Sequence, residues 1–85
     1  MDRKALAFAE DAVAAIGERD GPRARTCIAQ ACELEPAMNR LADTVYLACS
    51  ELETKGEVST ATWNILGESV GTGELFGVVE AHRTS

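Results

Sequence analysis

Three cysteines, a single histidine and a late cluster of glycines are the residues of this chain whose types could do chemistry. A thiolate at Cys27, Cys32 or Cys49 would be a nucleophile or a soft metal ligand if a base or further ligands stood beside it. The spacing argues against both. Cys27 and Cys32 fall on different parts of one helical surface, unlike the short loop spacings of zinc sites. His82 belongs to a segment, His82 to Ser85, that is expected to fray, so a Cys/His catalytic pair has little basis. The cysteines read instead as small buried hydrophobes. Glu33/Glu35 and Glu51/Glu53 are spaced by two, which turns each pair to different helix faces, and they read as solvated. Gly67, Gly71, Gly73 and Gly77 lack the preceding strand of a dinucleotide fingerprint and the Gly-Lys-Ser/Thr of a phosphate loop. Gly71 reads as a helix stop and Gly77 as a place of close backbone approach. No catalytic residue, metal ligand or cofactor-binding residue is assigned, and no cofactor is expected.

The elements that would position any site are helical. Leu6, Ala9, Val13 and Ile16 recur at helical spacing and predict a helix from about Asp2 to Glu18, with Phe8, Ala12 and Ala15 widening its apolar stripe. Asp20-Gly21-Pro22 ends it and starts the next: Asp20 or Gly21 caps, and proline fits the first turn. The second helix is expected to carry Ala24, Cys27, Ile28, Ala31 and Leu34 inward and to stop at Glu35-Pro36. Pro36 opens a third helix to about Glu53, burying Met38, Leu41, Ala42, Val45, Cys49 and Leu52 with Tyr46 and Ala48 beside them. Gly56 suits a left-handed cap. Ser59 or Thr60 then caps a short helix with Trp63, Ile65, Leu66 and Val70. Gly71-Thr72-Gly73 breaks it, and a last turn or two carries Leu75, Phe76, Val78 and Val79. The expectation is one all-α domain over residues 1–85, a small bundle of four to five helices built on an antiparallel N-terminal hairpin.

Four stretches resemble known families. From Ala5 to Pro36, the series Phe8, Ala12, Ala15, Ala24, Ile28, Ala31, Leu34 and Pro36 resembles one tetratricopeptide repeat, a helical hairpin used to bind proteins. The pattern departs at Asp11, at Ala15 and at Arg19, where an apolar residue, an aromatic and a glycine are usual, and it does not recur after Pro36. Glu51 to Val70 resembles the exit half of an EF-hand around Gly56. Its ligand positions would be Glu51, Glu53, Lys55 and Thr62, and a lysine and a threonine there argue against calcium. Ser59 to Arg83 resembles a helix-turn-helix in outline, but Thr72, Glu74 and Glu80 are poor material for reading bases and phosphates. Leu66-Gly67-Glu68-Ser69-Val70 is similar to the phosphopantetheine site of acyl carrier proteins, yet Ser69 follows glutamate and comes too late in the chain.

Composition narrows the function classes. Apolar residues make up 46%, too many for a disordered tail, while aromatics at 5% favour close-packed alanine-rich helices. The net charge of −6 disfavours nucleic acid and anionic lipid and suits a partner with a basic surface. No apolar run approaches the roughly 20 residues that span a bilayer, no export signal is evident, and the odd cysteine count is unlike a secreted disulfide framework. A cytoplasmic location is expected. The reading is a non-enzymatic protein–protein interaction or adaptor module that self-associates as a homodimer, with Trp63, Leu66, Leu75, Phe76 and Val79 as interface candidates. The alternatives are a small DNA-associated regulator and an accessory or small-molecule-binding helical domain.

Overall fold

A computed structural model describes residues 2–70 and 74–83 and shows helices α1 (Arg3–Gly17), α2 (Gly21–Leu34), α3 (Asn39–Lys55), α4 (Thr60–Val70) and α5 (Glu74–Arg83). A 3-10 turn, Pro36–Met38, leads into α3. The expected helix break at Gly71-Thr72-Gly73 lies outside the described residues.

The boundaries follow local chemistry. Asp2 caps α1 by accepting from the Lys4 and Ala5 amides at 2.7 and 3.2 Å. Asp20 caps α2 through the Arg23 amide at 3.1 Å, with Pro22 in the first turn where its missing N–H is harmless. Glu35 is extended, as the residue before a proline must be, and α2 stops there. Gly56 ends α3 at φ 78°, a left-handed conformation that glycine adopts without strain.

Consecutive helices run antiparallel. α1 and α2 form the N-terminal hairpin, whose seam is built from alanines: Ala5, Ala9, Ala12, Ala15, Ala24 and Ala31 are all fully buried. Small residues let helix axes approach at the close end of the usual 8–10 Å range. α3 packs on α2 and adds Leu41, Val45, Ala48 and Cys49 to the core. α4 packs on α3. α5 then returns to lie against both α4 and α1, so the bundle closes on itself.

The inward and outward faces differ from the sequence expectation at several positions. Leu34 is exposed, because it occupies the last position of α2, beyond the final buried residue of the stripe at Ala31. Tyr46 is exposed beside α2, where the Arg25 guanidinium lies 5.8 Å from its ring centroid. Leu52 is only half-buried. Gly77 does not mark a close approach, since a Cβ there would meet nothing within 4 Å. His82 does not fray: α5 continues through Arg83, and the His82 ring is half-buried over Gly17 of α1.

Candidate functional site

The thiols are held as packing groups. Burial pushes all three up from their ordinary pKa, which lowers the thiolate fraction that nucleophilic attack or metal binding requires. Cys49 is fully buried, and its Sγ donates to the Gly21 carbonyl at 3.5 Å, tying α3 to the start of α2. Among the described residues, no three His, Cys, Asp or Glu side chains converge as a metal site. Among the described residues, no helix is long and apolar enough to cross a membrane.

Glu51 is not solvated as its spacing from Glu53 implied. Its carboxylate accepts from the Ser59 amide at 2.8 Å and from the Thr62 hydroxyl at 2.7 Å. Ser59 in turn accepts from the Thr62 amide at 3.2 Å, which makes it the N-cap of α4. In an ordinary capping box, a glutamate three residues on would reach back to the cap amide. Threonine at that position is too short, so a carboxylate from the previous helix completes the box. These hydrogen bonds hold the Glu51 carboxyl below its usual pKa, the Ser59 amide being the largest cause. Of the four positions that an EF-hand would use, Glu51 and Thr62 are thus bonded to each other, and Glu53 is paired with Arg25 at 3.1 Å.

The five interface candidates separate. Leu66 and Val79 are fully buried and Leu75 nearly so, all within the single chain's own core, so they do not line a shared surface of the folded protein. The sequence reading turned this apolar stripe toward a second copy, whereas in the fold the chain's own helices cover these three residues. Trp63 is half-buried and Phe76 remains 36% exposed. Two further apolar residues were missed: Leu47 and Ile65 are 44% and 42% exposed. Thr44 meets Ser69 at 3.4 Å and Glu51 meets Thr62 at 2.7 Å, which brackets Leu47 and Ile65 on the outer edge of the α3–α4 seam. Phe76 shares its α5 stripe with Glu80 and Arg83, whose side chains approach Gly67 of α4. The outward side of α4 is therefore flanked by accessible apolar groups on both edges.

A groove of about 440 Å³ opens at the other exposed junction, between the ends of α1 and α5 and the segment joining α3 to α4. Gly17, Arg19, Glu57, Trp63, His82 and Arg83 are among its lining residues. Arg19 has φ 62°, the left-handed region, and is the only described non-glycine residue there. It is held by a Schellman motif, in which the Arg19 amide donates to the Ile16 carbonyl at 3.0 Å and the Asp20 amide to Ala15 at 2.8 Å.

Compared with known proteins, the chain matches no family model, no curated protein and no solved structure.

Proposed function

We propose that the chain is a non-enzymatic helical interaction module that self-associates through the outward side of α4. The observation that carries this reading is the set of large apolar side chains, Leu47, Ile65 and Phe76, left accessible along the two edges of that helix. Large apolar groups clustered on one side of a small domain mark a contact surface more often than scattered ones do. Two-fold pairing suits a self-complementary patch of this kind. The acidic surface, at net charge −6, also suits a basic partner protein on the remaining faces. A DNA-associated regulator draws less support, since Arg23, Arg25 and Arg83 are each paired with a glutamate.

Magnitudes set the expected strength. Full burial of each such side chain is worth roughly 1.5–3 kcal/mol, and all three are already partly covered. Association itself costs about 4–15 kcal/mol. These three side chains alone do not offset that cost, so a dimer draws on further contacts along α4 and is weak and concentration-dependent. Sedimentation at micromolar concentration tests it: a species heavier than the 9.0 kDa chain is expected. Ile65→Glu and Phe76→Glu should each return the monomer with the helical circular dichroism intact. A clean monomer of the unaltered chain across the micromolar range would remove the proposal.

A further inference from the structure

We propose that the groove between the C-terminal ends of α1 and α5 binds a small organic anion, a carboxylate or phosphate carried on a flat ring. The first observation is an inversion of residue types at the end of α1. Helices that close with a Schellman motif favour glycine at the left-handed position, and here that position holds Arg19 at φ 62°. The glycine stands two residues earlier, inside the last turn of α1, where a helix gains nothing from it. Gly17 has a different use: a Cβ there would overlap Nδ1 of His82, so its absence admits the imidazole against the helix. Both departures from helix preference open onto the same groove.

The second observation is charge. In a chain of net charge −6, Arg19, Arg83 and the sole histidine line one groove. Arg23 and Arg25 are paired with Glu18 and Glu53, whereas Arg19 makes no ion pair among the described residues. Among the described residues, Arg83 forms an ion pair with Glu80 alone, one turn away and partly exposed, a weak arrangement that a bound anion can replace. Cations at helix C-termini also answer the helix dipole. That accounts for a basic group at each end, but not for an arginine kept at positive φ where glycine would be unstrained. Strain of this kind, held in place by its surroundings, is characteristic of binding sites.

The third observation sets the ligand's other half. The indole of Trp63 lines the same groove, and a volume of about 440 Å³ falls in the range of small-molecule sites. A planar ring would rest against the indole, with its anionic group directed to the guanidinium of Arg19 by charge-assisted hydrogen bonds. Glu57 is the sole carboxylate among the described lining residues, and it stands on the segment before α4, which assigns the anionic end to the α1–α5 side.

Trp63 is the only tryptophan, so its indole N–H gives one nuclear magnetic resonance signal that reports directly on the groove. Titration of the whole chain with phenyl phosphate and with benzoate should move this signal saturably, and benzylamine should not move it. The two anions distinguish a phosphate from a carboxylate preference. Arg19→Gly should weaken binding about tenfold, the loss of one charge-assisted contact, while the melting temperature holds or rises. Arg83→Gln, which leaves the α1 turn untouched, should weaken it as well. No saturable shift with either anion, equal shifts with benzylamine, or undiminished binding in both variants would overturn the proposal. A fall in melting temperature for Arg19→Gly with unchanged affinity would likewise overturn it, leaving Arg19 as a partner of the helix dipole alone.

Discussion

The α1–α2 hairpin and the α4–α5 pair bury their apolar surface with different mixtures of small and large residues. The hairpin combines six fully buried alanines with the larger Val13, Ile16 and Ile28, whereas α4 and α5 attach through fewer anchors, Leu66, Leu75 and Val79. A small-residue seam gains from close approach and from the many weak dispersion contacts of neighbouring backbones. An anchored pair gains from the transfer of a few large side chains out of water. The first arrangement is the more sensitive to added volume at its alanines. The second leaves large groups such as Ile65 and Phe76 at the surface, next to the exposed Leu47 of α3.

The contrast can be broken by substitution. Leu66→Ala removes a fully buried anchor and should cost about 2–5 kcal/mol in chemical denaturation, transfer and cavity terms together. A loss under about 1 kcal/mol would show that α4 is not held by this residue. Ala31→Leu adds volume to the closed seam and should cost about 1–3 kcal/mol. An unchanged denaturation midpoint would show that the seam has slack and that the contrast is false. Glu51→Gln probes the joint between the two regions, where α3 caps α4. Removing the carboxylate should cost about 1–2 kcal/mol, the worth of a helix cap. Its sign with pH is fixed: because the folded carboxyl is held below its ordinary range, its contribution is present above that range and is lost as pH falls through the folded value. The variant should therefore lose stability near neutral pH and show a shallower acid limb. A parallel pair of pH–stability curves would show that the carboxyl is not linked to folding.

Much of the helical order was legible because its signals are local. Asp20, Ser59 and Gly56 announce helix ends through side-chain acceptors or a permitted backbone conformation, and the apolar spacing of Ala9, Val13 and Ile16 needs no partner to be read. What escaped depends on distant pairs. Glu51 shows its use only once Ser59 and Thr62 are brought beside it. Gly17 looks like an ordinary helix weakness until His82, from the far end of the chain, is set against it. Leu66, Leu75 and Val79 were read as a surface for a second copy, because periodicity does not say which neighbour covers a face. Arg19 entered the sequence reading only as a residue standing where the repeat pattern usually has glycine, and its positive φ is visible only in the fold.

The return of α5 onto α1 gives the molecule a direction. With each successive helix reversing, the first and the fifth run the same way, and the contact of His82 with Gly17 joins their final turns. Arg3 and Arg83 consequently leave from opposite poles of a body 33 Å long. A segment fused before α1 and another fused after α5 would be held apart by about the 22 Å rise of a fifteen-residue helix. Joining the two poles into a circular permutant would need a linker of at least about seven extended residues. The fold is in this sense a short spacer as well as a surface, and it sets the least length of chain through which segments at its two ends can meet.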